Sequence, residues 1–417
     1  MRHRSISLPF SAGLGLVLAL SSAHGAIVAG NLTITQNNIG NSATGVSGAF
    51  GHAQGGISYA SGNRGDFTIR FGGASAAAEL SDGIMIASIA ENGRSNEGPM
   101  IPGATPADDL PAIGPGRGYA TASIQPGGGG YASATFIGPT AISSGAKAGD
   151  EWNVNQSVGY FKYTEFIGGW LNNAANNDPI STFRSSYSGL TVGSGATNTG
   201  GWSVYDSTAS AGVYNVNLTG FTAPGSGLAA TSQNGIMLVV GGKNEANHAS
   251  SRANADGTFD IIVRSSDSGS PENDPAAFVY IPTGQEGVVA MGRVDGAANV
   301  TSGSGIATVT KGTTGKWLIS TTGYDPSNSV LLISPEGDIG TNNGDNIYSY
   351  AYDQETQRWV VEGRDLQTLT ADPTLQNIGT EPAFSFALIS NQVPEPTTAL
   401  LGALAGMGML SRRRRQR

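Results

Sequence analysis

Short runs in which apolar and polar residues alternate recur every ten or so positions along this chain, separated by clusters of Gly, Asn, Asp and Pro. Phe67-Thr-Ile69-Arg-Phe71, Tyr214-Asn-Val216-Asn-Leu218, Ala277-Phe-Val279-Tyr-Ile281 and Ile347-Tyr-Ser-Tyr-Ala-Tyr352 are examples. A period of two puts alternate side chains on opposite faces of a strand, and no stretch carries four turns of helical spacing. Two pairs of runs read as hairpins: Tyr119 to Ile124 with Tyr131 to Ile137, and Ile347 to Tyr352 with Trp359 to Val361. The expectation is an all-β protein of antiparallel β-sandwich or jelly-roll type.

Four collinear similarities suggest two tandem related β units. Phe67 to Phe71 is matched with Tyr214 to Leu218, Gly83-Ile-Met-Ile86 with Gly235-Ile-Met-Leu238, Ala120 to Ile124 with Ala277 to Ile281, and Glu151 to Val154 with Lys316 to Ile319. The competing explanation is that Gly/Ala/Ser-rich composition generates look-alike strands. The expected division is residues 26–180 and 181–391, with the boundary in the polar stretch from Asn172 to Ser186.

The two ends differ in kind from this body. Arg2, His3 and Arg4 precede an apolar stretch centred on Leu14 to Leu20, and Ala23-His24-Gly25 offers small residues for a cut after Gly25. Residues 1–25 therefore read as a secretory signal peptide, which makes signal peptidase and the secretion machinery partners. Residues 392–417 hold Val393-Pro394-Glu395-Pro396, an apolar run from Ala399 to Leu410, and Arg412, Arg413, Arg414 and Arg415. A helix of that run is only ~18 Å long, against ~30 Å of hydrocarbon, so a short C-terminal hydrophobic helix would be a stop rather than a comfortable span. The arginines hold its far end on the cytoplasmic side. The two prolines fix φ on both sides of Glu395 and keep the segment extended, ready for a protease groove.

This tail resembles the PEP-CTERM sorting signal, recognised by the membrane transpeptidase-like enzymes called exosortases. The resemblance covers only the last 25 or so residues. It implies an exosortase-like partner acting on Val393 to Pro396 and Arg412 to Arg415, transient inner-membrane anchoring, and delivery to the cell surface or the medium. It also implies a Gram-negative envelope or biofilm-matrix setting.

Composition narrows what the body does. The chain has no Cys, so an exported form has no disulfides and rests on core burial, hydrogen bonding or bound ions. Removing the 7 basic and 1 acidic residues of the two ends from totals of 22 and 31 leaves 15 and 30, a formal charge near −15. Such a surface repels nucleic acid. Only His52 and His248 remain in the body, which excludes a three-histidine zinc site, and no Gly-x-Ser-x-Gly elbow lies between a strand and a helix.

Carboxylates are the remaining chemical candidates. Asp256 and Asp260 lie in a calcium-loop-like stretch, but placing Gly257 at the EF-hand glycine puts Arg252 and Val263 at ligand positions, and that motif fails. Glu336, Asp338 and Asp345, among several asparagines, offer hard oxygens for Ca²⁺; asparagine- and aspartate-rich turns have the same composition. Trp317 and Trp359 lie in alternating strands and are expected in the core, whereas Trp170, in Gly168-Gly-Trp170, is the expected exposed platform for a sugar ring.

The leading expectation is a non-enzymatic structural or adhesive protein without a cofactor. A polysaccharide-binding module assisted by calcium comes second, and a secreted glycoside hydrolase with paired carboxylates third.

Overall fold

A computed structural model of the chain describes residues 27–33, 45–50, 57–61, 66–71, 83–90, 120–127, 130–137, 155–163, 165–171, 203–206, 212–223, 226–243, 247–265, 271–305, 307–337, 346–365 and 382–390. Within them the protein is all β. The first stretch forms β1 (Ile27–Thr33), β2 (Gly45–Phe50), β3 (Ile57–Ser61), β4 (Asp66–Phe71), β5 (Gly83–Ile89), β6 (Ala120–Gly127), β7 (Gly130–Ile137) and β8 (Gln156–Lys162). Next come β9 (Ile167–Leu171), β10 (Ser203–Asp206), β11 (Val213–Asn217), β12 (Gly235–Gly242), β13 (Asn247–Ala253), β14 (Phe259–Ser265) and β15 (Ala276–Pro282). The last are β16 (Val288–Asp295), β17 (Val300–Gly305), β18 (Thr308–Lys311), β19 (Lys316–Ser320), β20 (Ser329–Pro335), β21 (Asn346–Asp353), β22 (Arg358–Asp365) and β23 (Pro382–Ser390).

The strand order traces one path three times. A central strand (β5, β12 or β20) leads into a hairpin (β6–β7, β13–β14 or β21–β22), and the chain returns antiparallel to the central strand as β8, β15 or β23. An earlier strand, β1, β9 or β16, lines the other side of that return strand. An earlier hairpin, β3–β4, β10–β11 or β18–β19, extends the later one.

The three passages join in a closed cycle of parallel seams. β6 runs beside β12 where Ser123 faces Gly241, β13 meets β20 at Ser251 and Glu336, and β21 meets β5 at Ser349 and Ile89. Each hairpin sheet thereby continues into the central strand of the next passage, so the edges that meet at these three seams are paired from within.

Both expected hairpins form, with Gly127 facing Gly130 and Tyr352 facing Trp359. Of the four similarities, β4 with β11 and β5 with β12 occupy equivalent places. Ala120 to Ile124 does not match Ala277 to Ile281: β6 corresponds to β13, and β15 corresponds to β8. Trp317 lies on β19, the third counterpart of β4 and β11, while Glu151 to Val154, the Asn172 to Ser186 boundary and the expected C-terminal helix lie outside the described residues.

Burial on both faces explains the near-continuous apolar central strands. On β12, Ile236, Leu238 and Val240 enter a cluster shared with Ile84, Ile86, Val330 and Leu332, whereas Met237 and Val239 pack with Phe259, Ile261, Phe278 and Tyr280. On β20, Leu331 and Ile333 turn towards Trp317, Trp359 and Phe384.

The first residue of each central strand shows how side chains trade size. Gly83 begins β5, and a Cβ there would overlap the Phe161 carbonyl oxygen and stand 2.7 Å from the Tyr160 ring; Gly235 begins β12, and a Cβ there would stand 2.5 Å from the Ile281 carbonyl oxygen and 2.6 Å from the Tyr280 ring. In the third passage the tyrosine position is Leu388, facing Leu331, and the glycine position is Ser329. The ring and the neighbouring carbonyl oxygen together leave no room for a Cβ, and the passage that carries leucine in place of the ring carries serine in place of the glycine.

Gly235→Ala is therefore expected to cost about 2 kcal/mol by overpacking. In a urea-unfolding double-mutant cycle, Tyr280→Leu is expected to cost clearly less on the Gly235→Ala background than alone.

Candidate functional site

The three central strands converge at their C-terminal halves, and backbone groups left over by the sheets are met there by hydroxyls. Ser88 Oγ donates to the Ile333 carbonyl at 2.8 Å and accepts from the Ile333 N–H at 2.9 Å. Ser334 Oγ accepts from the Val239 N–H at 3.0 Å and donates to the Val239 carbonyl at 3.3 Å. The corresponding third residue is Val240. A cavity of about 40 Å³ lies at this junction, bordered by Ser88, Val240, Gly241, His248, Pro335 and Tyr348. It has room for water and not for a sugar ring. Ser88 gives its proton to the Ile333 carbonyl and is itself buried, and His248 is buried on β13.

A second recurring position decides the fate of two sequence candidates. Asn31, Trp170 and Arg293 stand at the same place on β1, β9 and β16, facing Ser157, Ala277 and Ser385. In the first passage Ser157 Oγ donates to Asn31 Oδ1 at 2.7 Å and also bonds the Tyr350 hydroxyl. In the third, Arg293 Nε donates to both oxygens of Glu336 at 2.9 Å, and Ser385 Oγ donates to Glu336 Oε1 at 2.6 Å. In the second, an indole fills the space over Ala277. One slot is filled by an amide, an indole and an ion pair, each with a facing residue cut to match.

Trp170 is consequently not the exposed platform expected from its glycine-rich setting. It is 8% exposed and belongs to the central apolar cluster. Trp317 and Trp359 are buried, as their alternating strands required. Glu336 is fully buried against Arg293. Asp260 accepts from Arg252 Nε at 3.0 Å and from Asn215 Nδ2 at 2.8 Å. Asp256 sits in the β13–β14 turn, accepting from the Thr258 N–H at 3.0 Å and its hydroxyl at 2.7 Å.

The structure thus does not bring these three carboxylates together, and each already has a protein partner. Among the described residues no group of three His, Asp or Glu side chains is close enough to hold a metal ion. Asp338, Asp345 and the tail residues Val393, Pro394, Glu395, Pro396, Arg412, Arg413, Arg414 and Arg415 lie outside the described residues. Among the described residues no helix is long and apolar enough to cross a membrane.

Sequence reading missed the hydroxyl contacts at the junction and the three-way slot. The only signal was the small residue at Ser157, Ala277 and Ser385, which is meaningful only once the strands are paired. Compared with known proteins, the chain matches no family model, no curated protein and no solved structure.

Two exposed turns give the protein an acid-sensitive element. The carboxyls of Asp256 and Asp353 are held below their ordinary value of 3.8, first by the hydroxyls of Thr258 and Thr356 and further by turn N–H groups. A depressed folded pKa contributes stability above the unfolded value, and that contribution is lost as pH falls through the folded one. The urea midpoint is expected to drop below about pH 4, and Asp353→Ala is expected to flatten that drop.

For the buried ion pair, Glu336→Gln leaves Arg293 uncompensated and is expected to cost about 3 kcal/mol. Replacing both, Arg293→Met with Glu336→Leu, is expected to recover most of that loss in the same unfolding assay.

Proposed function

We propose that this chain is an exported, non-enzymatic structural or adhesive protein of the cell surface or extracellular matrix. Its body is read as tandem related β-sandwich units, closed on themselves. The observation that carries this reading is the use to which the candidate chemical groups are put. Ser88, Asp256, Asp260 and Glu336 hold strands and turns together, and Trp170 fills the core. Groups so engaged serve cohesion, which a chain without Cys must draw from burial, hydrogen bonds and ion pairs.

The ends supply the route. Residues 1–25 direct export, and residues 392–417, with their likeness to a PEP-CTERM signal, hold the chain at the inner membrane until an exosortase-like enzyme acts near Val393 to Pro396. The acidic body then reaches the surface or the medium.

A polysaccharide-binding role is the second reading, and one feature favours it. Tyr352 is half-buried against Trp359, with ring centroids 4.9 Å apart, and stands beside Asp325 and Asp353. An aromatic ring flanked by carboxylates is a fit partner for a sugar, with or without Ca²⁺.

Intact-mass measurement of protein recovered outside the producing cells is expected to show loss of residues 1–25 and of the arginine-bearing tail. Full-length mass retained inside the cells would remove the export reading. On a glycan array the mature body is expected to give no signal; binding abolished by Tyr352→Ala would move the second reading to first place.

A further inference from the structure

The described body begins and ends on one patch. Ile27 opens β1, and its Cδ1 lies 3.6 Å from where a Cβ on Gly287 would stand. Ser390 closes β23, donating its N–H to the Gly287 carbonyl at 3.2 Å and its hydroxyl to the Asn328 carbonyl at 3.0 Å. Residues from opposite ends of the described body thus meet at a single glycine. Glu286 and Ser327 are exposed on the rim of this patch.

We propose that this patch is the face the protein turns towards the membrane while its tail is held there, so that the opposite end is the one displayed. The proposal rests on the reading of residues 392–417 as a membrane stop. The tether is short: the 8 residues between Ser390 and the apolar run that starts at Ala399 reach at most ~28 Å when fully extended. The same geometry serves the other end. A signal peptide still in the bilayer would join the body at Ala26, beside Ile27, so the body can fold with both of its membrane-held ends leaving from one side.

A site away from this patch is offered by Thr314, exposed in the turn between β18 and β19. β19 has 5 residues and sets that turn ~17 Å from Thr321, whose hydroxyl bonds the Tyr324 carbonyl in the loop leading to Asn328. The rim itself is acidic at Glu286, with Asp325 close to Asn328 through its N–H.

Because the sequence contains no Cys, one introduced thiol reports one place. Full-length chains carrying Glu286→Cys, Ser327→Cys or Thr314→Cys are labelled with a fluorophore. Each is bound to phosphatidylcholine vesicles that carry a short-range nitroxide quencher at the headgroup. Probes at Glu286 and Ser327 are expected to lose at least twice the fraction of intensity lost at Thr314. Equal quenching at all three, or more at Thr314, overturns the proposed face while leaving the tail reading intact. Two companion chains that begin at Ala26, one running to Arg417 and one stopped after Ser390, show whether flotation depends on the tail. If the shorter one floats with the vesicles as well as the longer one does, the membrane-stop reading fails, and the proposal fails with it.

Discussion

Two hydroxyls carry much of what lets this architecture close. Where β5, β12 and β20 converge, a strand buried on both faces still has peptide groups that its own sheet does not bond. A buried peptide group without a partner costs about 1–3 kcal/mol. Ser88 satisfies both such groups of Ile333, and Ser334 satisfies both of Val239. The short side chain matters, because it adds a donor and an acceptor without pushing the apolar strands apart. The cycle of parallel seams depends on that close approach, and the position of every hairpin follows from the seams.

The parts of the fold that were legible in the sequence are those fixed by near neighbours. The hairpins of β6 with β7 and of β21 with β22 could be read because alternation and turn residues lie within a few positions of each other. The likeness of Gly83-Ile-Met-Ile86 to Gly235-Ile-Met-Leu238 was visible for a physical reason, since both segments must admit a tyrosine ring over the glycine and bury both faces. The third counterpart, Ser329-Val-Leu-Leu332, was hidden because a leucine replaced the tyrosine and released the glycine. The match of Ala120 to Ile124 with Ala277 to Ile281 failed because strand composition alone does not say which neighbour a strand pairs with.

The candidate site fared differently. A carboxylate offers the same letters whether it binds an ion or anchors an arginine. Glu336 became interpretable only when β16 and β23 brought Arg293 and Ser385 to it, and Trp170 only when β15 placed Ala277 beneath it. Flanking glycines suggested exposure at Trp170. In the folded protein, Gly168 instead lets the strand lie close to β15 and to Ile84, where a Cβ would stand 2.6 Å from the Phe278 carbonyl oxygen and 3.0 Å from the isoleucine.

Divergence at the shared slot on β1, β9 and β16 has a consequence for how the molecule comes apart. Each occupant has been matched to its own surroundings, so the passages are no longer interchangeable spare parts. Each also lends its hairpin sheet to the next. Excising one passage would strip two neighbours at once and uncover raw strand edges. Damage to this protein should therefore spread as collective failure rather than trimming, and proteases should meet either the whole body or small fragments, with few stable pieces between.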